Sequence, residues 1–95
     1  AAVTVVVVKE LPEVAIEILV AVAAANRLSM VPRGQEVARL TARSLERTNR
    51  WLHRMEGQGY LRAVRHPRHH LWLATDSGKA LVDRLLQQGR ANHAA

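Results

Sequence analysis

The sequence predicts an α+β fold in the order helix, helix, helix, strand, loop, strand, helix. Three observations predict it. Three segments between Pro12 and Gly59 carry helix start and stop signals. Two short strand-like runs, Tyr60–Arg65 and His69–Ala74, flank a His66-Pro67-Arg68 loop. A last segment with a one-sided apolar pattern follows Thr75. An additional β-branched run, Val3–Val8, predicts an extra N-terminal strand or arm within residues 1–11.

Each element has a local reason. Pro12 suits the first position of a helix, where its missing N–H costs nothing. Glu13 then lies near the positive end of the helix dipole. This first helix runs to about Asn26. Its body, VAIEILVAVAAA, is apolar nearly all round, so it predicts cover on two sides, from its own core and from a second copy of the chain. Arg27–Val31 reads as a short connection or brief strand. Pro32 starts a second helix that runs to about Leu40, with Val37 and Ala38 pointing inward. Thr41–Arg43 make a turn, and Ser44 is a suitable N-cap for the third helix, read as residues 43–57. Gly57 and Gly59 end that helix, because glycine tolerates the left-handed cap. Thr75 caps the last helix, Asp76 to about Gln88, with Ala80, Leu81, Leu85 and Leu86 on its apolar side. Gly89–Ala95 reads as a frayed tail, and no linker divides the 95 residues into more than one domain.

Composition narrows the function. The chain has no cysteine, which removes disulfides, thiolate metal sites and a cysteine nucleophile, and suits a cytoplasmic setting. Nothing basic precedes the VTVVVV run, and Lys9, Glu10 and Glu13 interrupt it, so neither a signal peptide nor a membrane span is expected. The net charge is +6, and it is concentrated. Residues 27–68 hold ten arginines against Glu36, Glu46 and Glu56. Such a field attracts polyanions.

The third helix carries the densest part of that field. At 100° per residue, Arg43, Arg47, Arg50 and Arg54 fall within about 60° of one another. Leu45, Thr48, Leu52 and Met55 fall on the opposite side. A solvated face usually mixes signs, whereas here Glu46 is the one acid between Arg43 and Arg54, beside the ridge. Like charges at i,i+4 repel, and a polyanionic partner offsets that cost. Arginine suits a duplex because its planar fork can bond guanine edges or clamp a phosphate. Arg47 and Arg50 are the candidates for base edges, and Arg43 and Arg54 for phosphates. Asn49 and Ser44 can add adenine or backbone contacts.

The element order, with the basic helix third, resembles the winged helix-turn-helix. The nearest likeness is to bacterial MarR-type regulators. It is carried by Val37-Ala38 in the second helix, by Met55-Glu56-Gly57-Gln58-Gly59-Tyr60-Leu61 at the end of the third, and by Leu73-Ala74-Thr75-Asp76-Ser77-Gly78-Lys79-Ala80-Leu81 after the hairpin. That last segment looks like the family's L-T-x-x-G-x-x-L junction. The likeness covers about residues 30–86. It implies a three-helix core, a two-stranded β wing, a C-terminal helix and a sequence-specific, dimeric transcriptional regulator that binds double-stranded DNA. The long dimerisation helices of that family are missing, so Val3–Val8 and the first helix would have to supply a homodimer interface. Leu40 and Leu45 are displaced from where the family has leucine-like residues, at Thr41 and Arg43, so the turn between helices two and three is expected to be rebuilt.

The hairpin is basic as well. In the winged-helix reading its 65–69 tip meets the backbone or the minor groove through Arg65 and Arg68, with Pro67 stiffening it. Trp72 packs on the body and Trp51 flanks the core. His66-x-x-His69-His70 has metal-like spacing, but residues 69 and 70 point apart in a strand and no carboxylate or thiolate completes a set, so no metal or other cofactor is expected. His53 is read as a groove-edge residue. Ser29, Ser44 and Ser77 lack an activating context, and the chain has no phosphate-binding glycine loop, so no enzyme is expected. The alternative to a DNA-binding regulator is a winged-helix protein-interaction or replication/partition assembly module.

Overall fold

In the computed structural model, which describes residues 11–94, the apolar segment after Pro12 is the helix around which the rest assembles. This helix, α1, is Glu13–Arg27, and Pro12 is its N-cap, one position earlier than expected. It is followed by α2 (Gly34–Thr41), α3 (Leu45–Gly57), β1 (Leu61–Arg65), β2 (His70–Ala74) and α4 (Asp76–Ala94). α1 packs against α2, α3, β2 and α4 together. Its Ala15, Ile18, Leu19, Val22, Ala23 and Ala25 are buried. Its near-continuous hydrophobicity is therefore mostly explained within one chain. Only Ile16, Val20 and Ala21, with Val14, are left half-buried on its flank. The expected Val3–Val8 strand lies outside the described residues.

α1 ends in a left-handed turn without a glycine. Ser29 has φ of 62°, the Ser29 N–H donates to the Asn26 carbonyl, and the Met30 N–H donates to the Ala25 carbonyl at 2.9 Å. That pairing is the Schellman pattern, which satisfies the last carbonyls of the helix. The connection after it is a turn at Leu28–Ser29 rather than a strand at Arg27–Val31. Extended pairing comes later, where the Pro32 carbonyl accepts from the Trp72 N–H at 2.9 Å and Arg33 bridges Leu71. Pro32 is consequently not the start of α2. It is buried in the connection, and Arg33 is the N-cap.

Val37 and Ala38 of α2 point into the core as expected. Ala42 closes α2 in the left-handed region, φ 55° and ψ 43°, which turns the chain sharply into α3. Ser44 caps α3, its Oγ accepting from the Arg47 N–H at 3.2 Å. At the other end Gly59 has φ of 86°, and Tyr60 donates to the Met55 carbonyl while Gly59 donates to that of Glu56. This is the glycine form of the same cap.

β1 and β2 pair antiparallel, from Leu61 opposite Ala74 to Arg65 opposite His70. His66 and His69 exchange backbone bonds at 2.9 and 3.3 Å, so the turn itself is only Pro67-Arg68. Strand alternation puts Leu61, Trp72 and Ala74 into the core. The outer edge of β2 is closed by a side chain. The Asn26 amide accepts from the Ala74 N–H at 2.8 Å and donates to the carbonyls of Trp72 and Met30. Asn26 thus acts as a surrogate strand at the end of α1.

α4 begins against Tyr60. The Thr75 hydroxyl accepts from the Gly78 N–H at 3.1 Å and donates to the Gly59 carbonyl at 2.6 Å, while the Thr75 N–H reaches the Tyr60 carbonyl. Leu81 and Val82 are buried and Leu85 is half-buried. Ala80 is exposed and Leu86 is 46% exposed, contrary to the apolar side read from the sequence. The stripe is 78, 81, 82, 85, so Val82 takes the place assigned to Ala80. The helix bounds extend past Gly89, to Ala94. One interior glycine costs about 1 kcal/mol and does not by itself end a helix.

Candidate nucleic-acid interface

α3 lies with Thr48, Leu52 and Met55 fully buried and its arginines outside. Arg47, Arg50 and Arg54 are all exposed. Arg47 forms no ion pair among the described residues. Arg50 is 3.5 Å from the exposed Glu46, an i,i+4 contact of the kind worth a few tenths of a kcal/mol. Arg54 stacks its guanidinium 5.2 Å over the Trp51 ring, so Trp51 flanks the core and braces the ridge.

Arg43 departs from the ridge. It precedes the Ser44 N-cap, so the helical phase does not apply to it. Its guanidinium reaches back to Glu17 of α1 at 2.6 Å, and its side chain is 28% exposed. Arg43 therefore ties α3 to α1 instead of standing beside Arg47. Asn49 is also turned away from the ridge. It is half-buried against Gly34, whose position leaves no room for a Cβ beside the Asn49 amide.

Arg65 ends β1 opposite His70, and Arg68 occupies the turn. Both are exposed. The hairpin leans over α3, and the space between them is a cleft of about 380 Å³ whose lining includes Arg33, Asn49, His53, Arg68, His69 and His70. This cleft is not apparent in the sequence. Its trace in the sequence is Leu45, Asn49 and His53, spaced i, i+4, i+8 along one flank of α3, between the buried face and the arginines. That spacing marks a face, but only the hairpin's position shows what the face meets.

The histidines sit as two groups. His66 and His69 stack with centroids 4.4 Å apart, and His53 meets Trp72 at 5.2 Å and His70 at 5.9 Å, edge-on. Partial burial, then the neighbouring His66 and Arg33, pull the His69 imidazole below the ordinary histidine range. At the mouth, the Arg33 backbone N–H and guanidinium both bond Glu36 and hold its carboxyl below the usual carboxylate range. Among the described residues no group of three or more His, Asp or Glu side chains is arranged to hold a metal ion. No helix there is long and apolar enough to cross a membrane.

No protein-family model and no curated protein matches the chain by sequence. Solved structures do match it in shape. A MarR family transcriptional regulator from Silicibacter pomeroyi DSS-3 is 21% identical with a TM-score of 0.73, over 92% of this chain and 60% of that one. BpsR of Bordetella bronchiseptica, whose DNA binding is regulated by 6-hydroxynicotinic acid, is 21% identical with a TM-score of 0.73, over 85% of this chain and 56% of that one. A protein from Archaeoglobus fulgidus is 15% identical with a TM-score of 0.79, over 85% of this chain and 89% of that one. The chain spans only somewhat more than half the length of the first two of these proteins. Helix order, hairpin and these likenesses together show that the chain has the α+β winged helix-turn-helix fold, in the arrangement found in a MarR family regulator.

Proposed function

We propose that the chain binds double-stranded DNA as a sequence-specific transcriptional regulator, acting in the cytoplasm. In this reading α3 lies in the major groove, and the 65–69 wing contacts the backbone or the adjacent minor groove. The observation that carries it is the row of Arg47, Arg50 and Arg54 facing outward on a helix whose opposite side is fully buried. Arg47 and Arg50 are the proposed base readers, Arg54, Arg65 and Arg68 the proposed phosphate contacts, and Ser44, Glu46 and Asn49 border them. Arg43 serves this interface by holding the start of α3 against α1. The structural neighbours described as transcriptional regulators, and BpsR with its regulated DNA binding, support the same reading.

A homodimer belongs to the proposal. Ile16, Val20 and Ala21 of α1 and Leu40 of α2, which is 66% exposed, border an apolar groove of about 450 Å³. A second copy of the chain is its proposed occupant, and Val3–Val8 is the proposed extension of that interface.

Selection of bound duplexes from a random pool, followed by titration against salt, tests the reading. Log affinity is expected to fall with log salt at a slope of about −0.9 per phosphate contact. Replacing Arg47 and Arg50 together by alanine is expected to weaken the selected site at least about tenfold and to relax its sequence preference. Absence of duplex binding at low salt, or an undiminished double variant, overturns it.

A further inference from the structure

The cleft beneath the wing holds more cationic capacity than the arginine ridge explains. Arg33 enters it from the N-terminus of α2, Arg68 from the turn, and His53, His69 and His70 from α3 and the wing. Asn49 adds an amide to the same lining, and the amide is kept there by its close fit against Gly34. We propose that this cleft seats a phosphate group of the bound DNA and that its histidines take up protons when the phosphate arrives. The proposal rests on the DNA-binding reading and assigns that interface a built-in sensitivity to pH.

The charges around each imidazole give the direction. His69 faces His66 across the stack, with Arg33 and Glu36 from α2 beside it. His70 lies opposite Arg65 in the strand pair and edge-on to His53. His53 has Glu56 at 3.6 Å on its own helix and the Trp72 ring on its other side. Two carboxylates therefore face the group, and one of them, Glu36, is already bonded to Arg33. The remaining charged or titratable neighbours are Arg33, Arg65 and the other imidazoles. In the free protein a proton added to His69 meets the like charge of Arg33. A phosphate in the cleft reverses that balance, because an anion within a few ångströms favours the protonated ring. Bringing up the phosphate and taking up the proton are thus the same event seen from two sides. An imidazole can change its charge near neutral pH, which an arginine cannot do.

Affinity for a duplex selected by this protein is measured by fluorescence anisotropy from pH 5.5 to 8.0 at constant ionic strength. The expected result is a gain of up to about tenfold for each pH unit of decrease per proton taken up, as linkage requires. His69→Gln, on the exposed wing, is expected to flatten that slope, and His53→Gln/His69→Gln/His70→Gln to flatten it further, with circular dichroism confirming that each variant is folded. In parallel, the imidazole C–H resonances of the whole chain are followed against pH with inorganic phosphate or with the duplex added. Both ligands are expected to move the His69 titration upward, the duplex at far lower concentration. Tight duplex binding with no pH slope, or with a slope the variants keep, overturns the inference and leaves the DNA-binding reading standing. A response to inorganic phosphate without duplex binding at any pH overturns the DNA assignment and marks a free-anion site. Histidine titrations indifferent to both ligands overturn the seat itself.

Discussion

Gly78 shows how much one missing methyl can decide. It is the third residue of α4, and a Cβ there would collide with the Tyr60 carbonyl oxygen, the same oxygen that accepts from the Thr75 N–H. Gly78→Ala is therefore expected to destabilise the fold by about 1–3 kcal/mol, read as a lower urea midpoint. Gly57→Ala, with nothing within 4 Å of the added atom, is the control and should stabilise slightly or do nothing. The sequence displayed this glycine within a motif and Thr75 as a cap. It could not display Tyr60 as the group that needs the space, because that contact spans the whole hairpin. The same limit applies to Asn26. Its type and position suggest only a helix end, and its role depends on a strand 46 residues away.

At the scale of the element, α3 was the most legible part of the chain, and Arg43 shows where legibility stopped. The 3.6-residue period puts Leu45, Thr48, Leu52 and Met55 on the buried side and Arg47, Arg50 and Arg54 outside, and the structure has all of them there except Leu45, which is 46% exposed in the first turn. Extending that period back to Arg43 conflicted with Ser44 as N-cap, since a residue before the cap has left the helical track. The freed side chain found Glu17 instead. Arg43→Ala should accordingly act on stability before it acts on binding. A loss of about 1 kcal/mol is expected, discounted for the partial exposure of both partners. Its effect on duplex affinity should be smaller than that of Arg47→Ala. Thermal melts and anisotropy titrations on the two single variants check the ordering, and equal losses of affinity would return Arg43 to the ridge.

For the molecule as a whole, the sequence overestimated how much of α1 needs a second chain, because it could not count the four elements that converge on that helix. What is left is the strip of Ile16, Val20 and Ala21 beside Leu40. Leu40→Glu is expected to shift sedimentation from dimer to monomer at tens of micromolar protein while leaving the melting temperature nearly unchanged. A parent chain that sediments as a folded monomer at that concentration removes the dimer. The wing's place over α3, and hence the cleft, also appears only at this scale, since it follows from β2 being pinned by Pro32 and Asn26. That pinning has one more effect. A two-stranded ribbon ordinarily offers bare peptide groups along both margins to any passing extended chain. Here a carboxamide carried on a helix has sealed one margin, and the other belongs to β1, where Arg62 and Arg65 are exposed. Like copies approaching edge-on meet guanidinium against guanidinium, so polymerisation through the ribbon is discouraged from both directions.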